Sequence, residues 1–534
     1  MNLNLTNLVR AAKTGIYSLS STFGTEHSRQ KAIQSLAAMR GLPTKFAQIK
    51  ASLIGSEGAL WKEAVSNLPE LENDLVLQTI DKLSPILYSK INLDMKIEKC
   101  PASIGQVNRI TLNNGYSFAV KIQYPNIENQ LDQDTGLLDL AASMFAGFQE
   151  GFDSNGYKKF IGSALREELD YSTELTNQNH FREFFEKNRN IVIPNTILEY
   201  SNESILVQEW EDSTPIEIFL QTATLNEREQ IANFFKDFYF ESIFRLGMVH
   251  TDPNSGNFGI RKRANQLQLV VYDFGSVYQF NLDQRIALLL LIKNQNDHEL
   301  NDTKLLEQIG FRSDTLLPIQ SSLKAYLSVV LEPFLELSPY DLSKWKRVER
   351  CSDILGARRF QFMLAATPEI FPVIRAFMGF FHWSAMTSGK VWVRPSLERM
   401  EQELSEEIRE FKIKITANLK LRIDANVHEN TETNHDTNFD LMEEESIAKF
   451  LRIEVYKNKI LTVQLEFHRN MIERLDEIMD TNILSKISGR GISIPEIIRK
   501  ARVNSYKPMM LFEWIEDELD GDLGENLRVR VYLE

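Results

Sequence analysis

The sequence predicts an α+β fold built from several units, and three observations predict it. Residues 100–124 read as paired strands, and residues 283–422 read as almost wholly helical. Residues 447–534 return to a mixture of strands and helices beyond a polar stretch. At 534 residues the chain is long for one core, since domains usually run to about 100–200 residues. Hydrophobic residues at 43% and charged residues at 25% are the balance of a globular protein.

The formal net charge of −14 argues against a nucleic-acid binder, because neutralising phosphates needs a basic surface. Two cysteines, Cys100 and Cys351, cannot build a disulfide framework or a cysteine-rich metal site, which suits a reducing compartment. No stretch approaches the ~18–20 apolar residues of a membrane span. The run Ile286 to Ile292 is short, and Phe371 to Met386 is interrupted by Arg375 and His382. The N-terminus lacks the order of a secretory signal, so the expected location is cytoplasmic.

Residues 1–50 hold seven basic residues against one acid, a local +6. Leu5, Leu8, Val9, Ala12, Ile16 and Leu19 recur at helical spacing. The segment reads first as a helix packed on the rest of the protein. It reads second as a peripheral helix, residues 1–24, lying on the anionic inner face of a membrane. Another helix is expected near residues 26–40, ended by Gly41 and Pro43. The runs 103–112 and 116–124 are β-rich and joined by Asn113-Asn114-Gly115, a hairpin signal. Helices are expected over about 131–149, 157–188 and 227–245, with short strands between. Residues 425–446 are polar and aperiodic, a linker. Beyond it, a hairpin around Lys457-Asn458-Lys459, helices near 468–480 and 494–503, and two closing strands make a unit with no readable motif.

Three segments carry chemistry together. On the first, strand alternation puts Lys121 on one face with Ala119 and Gln123. Taken alone, a Lys between apolar neighbours is an edge-strand charge. On the second, a wheel drawn over residues 157–188 places Glu168 near the middle of the apolar arc, with Asp170 and Glu174 to one side. A carboxylate centred on a buried stripe needs a partner, and Lys121 is the candidate. The third segment carries Asp252, then Asn257 five residues on, then Asp273 at the end of an apolar strand. Each alone would be a turn former or cap. Together, a strand Lys, a helix Glu, a loop Asp, an Asn five residues later and an Asp-Phe-Gly occur in the order that kinase-type phosphoryl transfer requires. The glycine-rich G-x-G-x-x-G and an activation segment ending in A-P-E are both missing.

With these residues the sequence resembles the UbiB/AarF (ABC1-type) atypical kinase family over roughly residues 30–400. Cys100-Pro101-Ala102-Ser103-Ile104-Gly105-Gln106 is similar to its alanine-rich phosphate loop. The strand around Lys121 is similar to its nucleotide-binding strand. Glu168-Leu169-Asp170 is similar to its E-x-D helix, and residues 250–258 and 273–275 to its catalytic loop and metal motif. Lys45-Phe46-Ala47-Gln48 is similar to its K-x-G-Q signature, with Ala47 in the glycine position. Lys45 and Gln48 share a helix face and can point into one pocket.

The resemblance implies a two-lobed protein-kinase-like fold. It would comprise an N-terminal helical extension (1–95), an N-lobe (96–215), a helical C-lobe (216–424), the linker and the C-terminal α+β domain (447–534). It implies ATP and Mg as cofactors. Lys121, with Ala102, Ser103, Lys45, Gln48 and Asp170, would stand at the nucleotide, with Glu168 holding Lys121. Asn257 and Asp273 would bind metal, and Asp252 would orient or deprotonate the nucleophile. It also implies ATP hydrolysis in support of isoprenoid-lipid or quinone metabolism at a membrane, with a lipid or quinone-type ligand. A small-molecule phosphotransferase and a non-catalytic nucleotide-binding scaffold are the alternatives.

Overall fold

The structure, a computed structural model, describes residues 70–101, 104–125, 127, 169–263, 266–297, 300–359, 361–415, 448–457, 459–475, 491, 493–516 and 527–534. The expectations for residues 1–24, Lys45, Gln48, Ala102, Ser103, Glu168 and the linker lie outside these. The described residues form two units. The first takes those up to Gln279 together with Phe371–Gly389, and the second takes Phe280–Ile370 and those from Lys390 onward.

The first unit begins with helix α1 (Asn73–Leu83). Strands β1 (Glu98–Pro101), β2 (Gly105–Thr111) and β3 (Ser117–Gln123) follow. Strands β2 and β3 are antiparallel and are joined by the expected turn, with Gly115 at φ 87°. Helix α2 (Tyr171–Phe185) comes next, then strands β4 (Ile191–Val192) and β5 (Ile205–Glu209). Strand β5 pairs with the far side of β3, giving the order β1-β2-β3-β5. Lys121 thus lies on an interior strand, opposite Val107 and Leu206, and not on an edge. Val120 and Ile122 join Val76 and Ile80 of α1 in one apolar core.

Gly105 lies where β2 turns in beside β3 and α2. A Cβ there would sit 2.4 Å from the Ile122 carbonyl oxygen and 2.5 Å from the Tyr171 hydroxyl. The glycine is required by close approach of backbones, whatever the phosphate-loop resemblance.

A second sheet follows. Strand β6 (Thr214–Pro215) precedes helix α3 (Leu225–Glu241), which opens with a reciprocal cap between Thr224 and Glu227. Where the sequence suggested one helix over 227–245, the last turn is instead a π-helical turn, Ser242–Leu246, closed by Gly247 at φ 79°. Strands β7 (Met248–His250), β8 (Phe258–Arg263), β9 (Gln266–Val271) and β10 (Val277–Gln279) follow in the chain. Strands β4, β9, β8 and β6 form one sheet in that order, while β7 pairs with β10. An aromatic cluster of Phe181, Phe235, Phe238, Phe258 and Phe274 holds α2 and α3 to these strands.

In the second unit, α4 (Leu282–Asp297) buries Ile286 through Ile292 on all sides, which makes that apolar run a core helix. Helices α5 (Asp302–Ile309) and α6 (Gln320–Leu335) pack with it. Helix α7 (Phe371–Met386) belongs to the first unit.

Strands β11 (Phe450–Lys457), β12 (Ile460–His468), β13 (Met509–Glu516) and β14 (Leu527–Leu533) make an antiparallel sheet in the order β12-β11-β14-β13. Helix α8 (Ile494–Val503) precedes β13, as the sequence suggested. A 3₁₀ segment, Arg469–Arg474, opens the stretch expected to be the 468–480 helix. The sheet is tied to the helices before it. The buried Gln361 side chain donates to the carbonyls of Thr315 (2.8 Å) and Glu466 (2.9 Å), and Arg358 pairs with Glu466. Cys100 and Cys351 are free thiols.

Gly105→Ala should lower stability by roughly 1–3 kcal/mol, the usual cost of forcing atoms into a packed site. Urea unfolding of the full chain measures it, and an unchanged midpoint would refute the close approach.

Candidate active site

The site starts from a Lys placed on an interior strand by its apolar neighbours. Lys121 is 8% exposed, and its ammonium donates to both oxygens of Glu174 (2.9 and 2.7 Å) and to Asp273 Oδ2 (2.7 Å). It also lies over the Tyr171 ring, 5.1 Å from the centroid.

Among the described residues Glu174 is the helix acid that meets Lys121, while Glu168, the expected partner, lies outside them. Asp170 has extended dihedrals (φ −98°, ψ 94°) and caps a helix that starts at Tyr171. Counted from that start, Tyr171, Glu174 and Asn177 share the buried face. The Asp170 carboxylate accepts from Ser172 N (3.0 Å) and from the Thr173 hydroxyl (3.3 Å). The Ser172 side chain above all, with these bonds, holds it below the usual carboxylate range.

The other acids come from turns held by β7 and β10. His250 pairs with Val277 across the two strands, and its Nε2 stands 2.8 Å from the Asp273 carbonyl oxygen. Burial pushes His250 below its ordinary pKa, so the neutral ring donates to that carbonyl. The Thr251 and Ser276 hydroxyls meet at 2.7 Å. Phe274 is fully buried, and Asn177 Nδ2 donates to its carbonyl (3.2 Å), which ties α2 to the Asp-Phe-Gly turn. Asn257 Nδ2 donates to the Asp252 carbonyl (3.1 Å), so the loop is braced by the residue five positions on. Arg375 of α7 pairs with Asp252 at 2.5 Å.

Lys121, Asp252, Asn257 and Asp273 are thus brought together, with Glu174 and Arg375 added. In the sequence Arg375 stands out only as an interruption in an apolar run. An Arg that breaks an otherwise apolar helix was the signal that a buried acid awaited it.

The charges divide unequally. Burial first, and Asp273 second, push Glu174 up to about 7 against the pull of Lys121. Burial also works against charge on Asp273, but Lys121 and the Gly275 N–H (2.9 Å) hold it below its ordinary value. Asp273 therefore keeps its charge, on a side chain still 31% exposed.

Three carboxyl groups, of Glu174, Asp273 and Asp252, stand against two cations, Lys121 and Arg375. The Asp273 carboxylate and the Asn257 amide oxygen are the hard donors that Mg²⁺ takes alongside substrate phosphates. Among the described residues no cluster of three His, Cys, Asp or Glu side chains suits a protein-only metal cage.

A Lys–Glu pair on strand and helix, beside an Asp/Asn loop and an Asp-Phe-Gly turn, defines the kinase-like class. Residues 96–305 match the family model of the ABC1 atypical kinase-like domain, the domain of the UbiB/AarF (ABC1-type) family. It is 29% identical over 272 residues to the ABC1 family protein C10F6.14c of Schizosaccharomyces pombe, covering 48% of this chain and 50% of that one. It is 28% identical over 215 residues to the mitochondrial atypical kinase coq-8 of Caenorhabditis elegans, covering 39% and 28%. It is 24% identical over 347 residues to the mitochondrial atypical kinase COQ8B of Rattus norvegicus, covering 63% and 65%. The chain thus spans half or less of the length of the first two relatives. Among solved structures, the complex of Rv3197 with erythromycin from Mycobacterium tuberculosis aligns with a TM-score of 0.46 at 20% identity, over 71% of this chain and 96% of that one. No described helix is long and apolar enough to cross a membrane.

Glu174→Ala should cost roughly 3–5 kcal/mol, because it strands part of a buried cation. Replacing the pair together, Lys121→Met with Glu174→Leu, should recover most of that loss in urea unfolding.

Proposed function

We propose that this chain binds ATP with Mg²⁺ and transfers or hydrolyses its γ-phosphoryl group. The observation that carries the reading is the Lys121 ammonium shared between Glu174 and Asp273, beside the loop of Asp252 and Asn257. Lys121 would bind the α- and β-phosphates, with Glu174 rather than Glu168 orienting it. Phosphate oxygens arriving at Lys121 compete with Asp273 for its ammonium, which leaves Asp273 available to the metal. Asn257 and Asp273 would hold Mg²⁺, which when bound screens the β- and γ-phosphate charge. Asp252 would take the proton of the attacking hydroxyl as its oxygen bonds the γ-phosphorus. The bond to the β–γ bridging oxygen breaks, and that oxygen leaves with the electron pair on ADP. With water as nucleophile the products are ADP, inorganic phosphate and a proton.

The resemblance adds Ala102 and Ser103 at the phosphates, Asp170 near the nucleotide, and Lys45 and Gln48 over the site. It also adds a role in isoprenoid-lipid or quinone metabolism, with residues 1–24 touching an anionic membrane surface. A small-molecule phosphotransferase would use the same Asp/Asn/Asp set, and a phosphorylated product in place of free phosphate would favour it.

Binding of a non-hydrolysable ATP analogue and phosphate release, each with Mg²⁺, test the site. Asp273→Asn and Lys121→Ala should each lower affinity or turnover by at least about tenfold, or roughly 1.4 kcal/mol. If neither changes, the site assignment is wrong. Flotation with vesicles containing phosphatidylserine should lose protein when residues 1–24 are deleted. Equal flotation of both forms would remove the membrane role from that segment.

A further inference from the structure

Helix α7 lies apart in sequence from everything it touches in the first unit. Its Arg375 reaches Asp252 across 123 residues of chain. Both residues are nearly nine-tenths or more buried, at 8% and 9% exposure. The approach is enforced one turn further along the same helix face. A Cβ on Gly379 would lie 2.2 Å from Pro253 Cβ, so the helix backbone rests on the residue that follows Asp252. Trp383 stacks on Phe235 at 5.2 Å, and Phe380 meets Tyr239 edge-on, which fastens α7 to α3.

The loop itself brings no cation to Asp252. Residue 251, where protein kinases carry the arginine of H-R-D, is Thr251, and its hydroxyl meets Ser276. Residues 253–257 are Pro, Asn, Ser, Gly and Asn. The buried carboxylate is compensated from outside its own loop.

We propose that Arg375 is a positioning residue for phosphoryl transfer, which holds the Asp252 carboxylate in place and aims it at the nucleophile. This rests on the proposed role of Asp252. A guanidinium stays charged at any working pH and holds its donors in a fixed plane, so it pins a carboxylate more firmly than a Lys can. Misplacing a reacting group by about 1 Å can cost about a hundredfold in rate. The pairing therefore acts on the chemical step and not on nucleotide binding, which belongs to Lys121 and the metal residues.

The test is a double-mutant cycle on the full chain, with Arg375→Met, Asp252→Asn and the two combined, together with Arg375→Lys. Affinity for the non-hydrolysable ATP analogue with Mg²⁺ and the phosphate-release kcat are both read. Arg375→Met should lower kcat by about tenfold to a hundredfold with analogue Kd changed less than about twofold. Arg375→Lys should lose several-fold less kcat. In the Asp252→Asn background either Arg375 change should cost nothing further, because the residue acts only through Asp252. Losses that multiply in the double variant, or a Kd that rises as kcat falls, would overturn the inference and leave the site reading standing. An Asp252→Asn protein with unchanged kcat would overturn the role of Asp252 and this inference with it. Should Arg375→Met fail to fold, the same cycle run with Arg375→Lys decides the question.

Discussion

The ammonium of Lys121 is the interaction on which the site depends. A single buried cation joins the middle of the first sheet, the face of α2 and the Asp-Phe-Gly turn. A Lys so deeply placed would be costly without partners, and a Glu so placed would be protonated without the Lys. Each is tolerable only while the others are present. The requirement holds sheet, helix and turn in one arrangement and leaves Asp273 charged.

A second buried pair, Arg375 with Asp252, does for the loop what Lys121 does for the turn. The two pairs differ in origin. Glu174 reaches Lys121 from a helix of the same region of chain. Arg375 comes from a helix whose flanking segments both belong to the other unit. The segment Phe371–Gly389 is thus inserted into the first unit. The Gly379–Pro253 contact and the stacking of Trp383 on Phe235 show how closely it is fitted there.

The second unit has an apolar core of its own. Its apolar helix α4 is wrapped on all sides, and its C-terminal sheet is attached through Gln361 and Arg358 to helical segments that precede it. The polar face of that sheet is laced by Glu454, which accepts from the Tyr456 and Tyr532 hydroxyls at 2.8 Å each. These bonds are internal to the sheet.

The amino-acid sequence by itself determined the residue types of the site wherever a motif is contiguous. Lys121 on its strand, Asp252 and Asn257 in one loop, and Asp273 in its turn were legible because their spacing is set by local backbone geometry. So were the hairpin at Gly115 and the four C-terminal strands, whose alternation is local too. Only the tertiary structure decided which acid holds Lys121. The described helix starts at Tyr171, after the break at Asp170, and it turns Glu174 to the face where Lys121 waits. Only the tertiary structure supplied Arg375, because a pair 123 residues apart leaves no periodic trace in the chain. Burial of the Asp252 carboxylate is what makes that distant charge necessary.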